Sequence, residues 1–205
     1  MTASPRTARP FVVGSLVGLV ILALLVAFAV LLPKATAGPV DLPETLPGGL
    51  RAVELEADDV EGENADAATD LAERQRGINE SGAELLEELF DAPAQIRTYQ
   101  DESLETQVTI TVVEQPAGPF LPNGPPFDPS YVNFERNITD LVSAGDGVCA
   151  RYYEQPVPEG QEIPDEGDAP AAIQCQVGSG NATYQLYGRG LDADEAVELL
   201  DGLAD

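Results

Sequence analysis

Histidine and tryptophan are absent from this 205-residue chain, and it holds only two cysteines and one methionine. Without histidine, Ser-His-Asp and Cys-His catalysis cannot occur, and neither can a His-ligated zinc or haem site. There is no CxxC pair, no P-loop, no GxGxxG after a strand and no G-x-S-x-G elbow. A glycosidase could run on two carboxylates, but 36 acidic residues make some close pair inevitable. The missing tryptophan also removes the usual stacking platform of a sugar site. The chain is therefore read as a non-enzyme, with no catalytic residue, no cofactor and no metal site. Asp192, Asp194 and Glu195 could offer oxygens to calcium, but the spacing and central glycine of an EF-hand are missing, and helix capping explains them better.

Positive charge is nearly as scarce, with ten Lys and Arg against 36 Asp and Glu, a net −26. Its distribution is one-sided. Arg6, Arg9 and Lys34 are the only charges in residues 1–34, whereas the remainder has seven arginines against all 36 acids, a net −29. A body of that charge repels nucleic-acid phosphates and anionic lipid headgroups, so nucleic acid is excluded as a partner. Cations and basic protein surfaces remain.

One long hydrophobic run is present. Residues 11–32 are 22 in number and carry no charge. As a helix rising about 1.5 Å per residue, such a run spans a bilayer core. The arginines precede it, which places the N-terminus in the cytoplasm and the rest outside. The expected organisation is a cytoplasmic tail (1–10), a transmembrane helix (11–33) that makes the lipid bilayer the first partner, a Pro/Gly-rich and acidic stalk (34–65), and an extracytoplasmic domain (66–205). Cleavage after Ala37, in the small-x-small Ala35-Thr36-Ala37, is the alternative; the apolar run is too long for an ordinary signal peptide. In either case the chain is localised to the cell membrane or its outer side.

Within the outer domain a helix is expected over about 66–91. Leu71, Gln75, Ile78, Gly82, Leu85 and Leu89 recur at four-three spacing as its apolar stripe, widened by Leu86 and Phe90. Gly77 and Gly82 weaken it and could split it in two. Strands follow at 94–100 and 106–114, the second alternating Val108, Ile110 and Val112 with polar residues. Asp101-Glu102-Ser103 is read as the tight turn between them. Residues 115–130, with six prolines, form a long irregular loop of the kind that often carries function. Two further hairpins are expected, 138–154 turning at Ala144–Gly147 and 172–188 turning at Gly178–Asn181. Asp192 then caps a last helix, with Glu195 completing a capping box. The fold class is α+β: an antiparallel sheet of five or six strands, with two helices packed on one face.

Cys149 and Cys175 lie on separate predicted strands outside the membrane, so a disulfide is expected. Tyr152, Tyr153, Tyr184 and Tyr187 lie on neighbouring strands. Alternation would turn half of them inward and leave the rest as an exposed aromatic patch.

Three features carry a resemblance: LPETLPGGL at residues 42–50, the hairpin through Gly145-Asp146-Gly147-Val148-Cys149, and the ending TYQLYGRGLDADEAVELLDGLA. Together they resemble uncharacterised actinobacterial single-pass membrane-anchored extracytoplasmic proteins. The resemblance implies an anchor and an outer domain, and brings no activity or site residue with it. The expected function is a protein-interaction or binding module of the cell envelope, with an envelope protein as partner. The alternative is a sensor or carrier of a small ligand or lipid.

Overall fold

In strand β4 (Gln107–Val113), Val108, Ile110 and Val112 are buried while the threonines between them face the other way. The same two-residue period runs through β9 (Ala172–Ser179) and β10 (Ala182–Arg189), where Ile173, Cys175, Val177, Tyr184 and Leu186 turn inward. Cross-strand registers align these residues in rows, Ile110 beside Leu186 and Leu186 beside Cys175. With β3 (Ala94–Gln100), β6 (Thr139–Ala144) and β7 (Gly147–Tyr152), these are the six strands legible in the sequence.

The structure, a computed structural model, describes residues 41–55, 65–122, 126–163 and 169–204. The expected tail, transmembrane helix and cleavage site, and stalk residues 34–40 and 56–64, lie outside the described residues. Among the described residues no helix is long and apolar enough to cross a membrane.

Four more strands, among the described residues, lie outside the expected ones. β1 (Thr45–Leu46) and β2 (Leu50–Ala52) extend the sheet at one edge, giving eight antiparallel strands in the order β1-β2-β3-β4-β10-β9-β7-β6. β5 (Phe134–Arg136) and β8 (Val157–Pro158) form a separate pair. The expected stalk is thus corrected over residues 41–55. Leu42, Leu46, Leu50 and Ala52 are buried in the main core. Polar contacts fasten this strap: Arg97 donates to the Leu42 carbonyl and to Glu54 Oε1 at 2.8 Å, and the Tyr99 hydroxyl donates to Pro43 O at 2.8 Å.

Helix α1 spans Ala65–Phe90 and α2 spans Ala193–Ala204. They do not share a face of the sheet, contrary to expectation. The α2 helix lies on the face of Cys149 and Val177, together with the 41–55 strap. A Cβ on Gly147 would stand 2.6 Å from Val197, so the absent side chain is what lets α2 approach. The predicted capping box starts this helix: Glu195 N–H donates to Asp192 Oδ1 at 2.9 Å, and Asp192 N–H to Glu195 Oε2 at 3.0 Å. The α1 helix lies on the opposite face, that of Ile96 and Thr98. It runs unbroken through both glycines, because at Gly82 a Cβ would stand 2.8 Å from Ile96 Cδ1 and close packing needs the space. The β3–β4 turn is also longer than expected, closing as Asp101 N–H donates to Thr106 O and Thr106 N–H donates to Asp101 Oδ1, both at 3.1 Å.

The two cysteines face each other across β7 and β9, with a Cα–Cα distance of 4.0 Å and sulfurs 2.04 Å apart, a disulfide bond. It closes a sequence separation of 26 residues.

Candidate interaction face

The α1 helix rests on the sheet through its small and amide residues. Ala72 and Asn79 are 4% and 6% exposed, whereas Leu71, Ile78, Leu85 and Leu89 are 55%, 58%, 56% and 67% exposed. The four large aliphatics of the expected stripe are therefore not the buried residues, whereas its Gln75 and Gly82 do meet the sheet, so the helix is turned by less than one residue, under about 100°, from the expected orientation. The sheet beneath supplies the reason. Ile96, Thr98, Thr109 and Thr111 line this face, and hydroxyls need hydrogen-bonding neighbours more than they need leucines. Gln75 Nε2 donates to Asn79 Oδ1 at 3.0 Å and to Thr98 Oγ1 at 3.1 Å, while Thr98 and Thr109 share a 3.0 Å hydroxyl contact. Ala65, Ala68 and Ala72 continue this small-residue row at helical spacing.

Chirality settles where the leucines go. Contacts of Gln75 with Thr98 and of Glu87 with the Ala94 N–H show that α1 runs antiparallel to β3. Backbone bonds close the Asp101·Thr106 and Pro93·Glu114 pairs, so by alternation Thr98·Thr109 is a non-hydrogen-bonded pair. Ile96 and Thr98 then direct their backbone groups toward β2, which fixes β4 on the other flank. In a right-handed helix running this way, the residue before each sheet-facing one leans toward β4. Leu71, Ile78, Leu85 and Leu89 consequently form a wall beside the open sheet, above β4 and β10.

The floor next to that wall is amide-rich. Gln185 Nε2 donates to Gln176 Oε1 at 2.9 Å, and Gln176 Nε2 donates to Gly118 O at 2.8 Å. Tyr187 stands level with Thr109, 56% exposed, and meets Tyr152 edge to face with centroids 6.4 Å apart. The Tyr152 hydroxyl donates to Gln174 Oε1 at 3.0 Å. The Pro-rich loop closes one end. Thr183 donates to Gln115 O at 2.7 Å, and a Cβ on Gly178 would stand 2.6 Å from Ala117 Cβ. Farther along, the loop exposes Leu121, Phe127 and Tyr131.

Of the four tyrosines one enters the core, against the half expected. Tyr184 is buried in the core, and burial raises its pKa. Tyr187 and Tyr152 are on the open face. Tyr153 lies past the end of β7 under the Arg136 guanidinium, 3.7 Å from its ring centroid, and its pKa is raised mainly by burial. Arg151, on the α2 face, makes two bonds to Asp140 at 2.9 and 2.5 Å, which hold its proton still more tightly.

Asp192 and Glu195 are engaged in the helix cap, and among the described residues no group of three or more Asp, Glu, Cys or His could hold a metal ion. The disulfide lies on the opposite side of the sheet from the exposed wall and takes up both cysteines of the chain. The glutamine row at 174, 176 and 185 was not singled out from sequence. Its signal was there: each glutamine alternates with a buried core residue, and such a position lies on the outward face. No family model matches the chain, and no curated protein or solved structure matches it significantly.

Proposed function

We propose that this chain is a membrane-anchored protein-interaction module of the cell envelope, displayed outside the cytoplasm, and that its working surface is the sheet face beside α1. The observation that carries the reading is the orientation of α1. A helix that turns four large aliphatic residues away from its own core leaves an apolar patch, and in a water-soluble body such patches mark contact surfaces. Tyr187 and Tyr152 add the amphipathic aromatics that protein interfaces favour. The apolar run at 11–32, the arginines before it and the disulfide-bonded pair support an anchor and an oxidising compartment. The charge of −29 after residue 34 favours a partner with a basic surface over nucleic acid or an anionic membrane.

The test is site-specific photo-crosslinking of the full chain in its own membrane. Crosslinkers are placed at Ile78, Tyr187, Phe127, Tyr131 and, on α2, Glu198. Adducts to another envelope protein are expected at the first group of positions and not at Glu198. If no position gives a protein adduct, the interaction reading fails. A C-terminal reporter active only inside the cell would overturn the topology.

A further inference from the structure

The open strip beside α1 has the dimensions of one missing helix. Packed helices lie about 8–10 Å apart, and strands about 4.8 Å apart, so the next helix on a sheet falls two strands over. With α1 above β3, that position is above β10. Its wall is Leu71, Ile78, Leu85 and Leu89, a seam about 27 Å long at 1.5 Å per residue. Leu71, Ile78 and Leu85 recur every seven residues, the period at which one helix meets another along a seam. Its floor is Gln185 and Tyr187, and residues 115–118 close one end.

We propose that this strip is a docking slot for a single amphipathic α-helix of another protein, apolar toward the slot and rich in lysine or arginine on its outer side. The proposal rests on the interaction reading above and names the partner's form and charge. A strand is excluded there because β10 is an interior strand, already paired on both sides by β4 and β9. A second copy of this chain would bring together two bodies of −29 each, and α1 alone holds seven acids against Arg74 and Arg76. An anionic lipid surface is repelled by the same charge. Within the slot the field is uneven. Arg74 and Arg189 stand toward one end, and Glu88 stands beside Leu85 and Leu89 toward the other. The incoming helix is therefore expected to place its densest positive charge beside Leu85 and Leu89.

The experiment uses the full chain in phosphatidylcholine nanodiscs and two synthetic 18-residue helical peptides as probes. Both have the same leucine seam. One has lysine at its outward positions and the other glutamate. Binding is read by fluorescence anisotropy against empty discs. The lysine peptide is expected to bind at least tenfold more tightly, with affinity falling as salt rises. Ile78→Glu and Tyr187→Ala, on different elements and both at exposed positions, are each expected to weaken it tenfold or more, and Glu198→Gln to leave it unchanged. Equal binding of the two peptides overturns the proposal, as does binding indifferent to both slot variants. Self-association of the chain that these variants abolish also overturns it, by assigning the slot to a second copy. Crosslinks at Phe127 or Tyr131 with none at Ile78 or Tyr187 overturn the slot while leaving the interaction reading intact.

Discussion

Ile78 and Asn79 are adjacent in sequence and opposite in fate, which makes the pair a direct probe of how α1 sits. Ile78 is 58% exposed and Asn79 is 6% exposed. Replacing Ile78 with Ser removes little buried surface, so the stability change should stay within about 0.5 kcal/mol. Asn79→Ala removes the acceptor of the Gln75 amide in a packed interface, a loss of about 1 kcal/mol. Ala72→Leu forces a large side chain between α1 and β3, where only a methyl fits, and should destabilise by about 1–3 kcal/mol. For a domain of this size each kcal/mol lowers Tm by about 2–4 °C. Thermal unfolding of the full chain in detergent, followed by far-ultraviolet circular dichroism, should therefore rank the variants Ile78→Ser, Asn79→Ala, Ala72→Leu in order of increasing damage. An ordinary amphipathic packing of the leucine stripe requires the reverse: Ile78→Ser would be severe and Ala72→Leu mild. Observing that reversed order would refute the orientation of α1 and remove the docking slot with it.

Three further outcomes are expected. Replacing both cysteines with alanine should lower unfolding stability by about 3.5 kcal/mol in the chain-entropy account of a 26-residue separation, measured by urea unfolding, and the native protein should show no alkylatable thiol. Leu42→Ala, at 1% exposure on the strap, should cost about 2–5 kcal/mol; a neutral result would return residues 41–55 to the role of a passive stalk. Burial pushes the Tyr99 hydroxyl from 10.0 up to about 12. The unfolded chain then ionises first, so this tyrosine's contribution is complete below pH 10 and is lost as pH rises from 10 toward 12. Stability measured across that window should fall more steeply for the native protein than for Tyr99→Phe.

How legible the fold was depends on how local its determinants are. β4, β9 and β10 were readable because a strand's two faces alternate residue by residue, and Val108-Ile110-Val112 states which face is apolar. The cap of α2 was readable because Asp192 and Glu195 satisfy each other's backbone within four residues. The sheet's first two strands were not, because Leu42, Leu46 and Leu50 are spaced among prolines and glycines and acquire a partner only when β3 lies beside them. The glycine-broken look of α1 misled for a related reason. Gly82 was read against helix propensity, whereas its role is set by Ile96 on another element.

The candidate face shows the same division. Composition, the absence of histidine, the one-sided charge and the lone apolar run determined what chemistry is unavailable and which partners are repelled, since these depend on residue counts and not on position in space. The pairing of Cys149 with Cys175 needed only that no third cysteine exists. Which stripe of α1 meets the sheet was decided by tertiary structure alone. An apolar sheet surface would take the leucines, but the surface offered to the helix carries Thr98 and Thr109, whose hydroxyls bond Gln75 and each other. The polar row is held down by that network, and the leucines are left exposed beside the open strands.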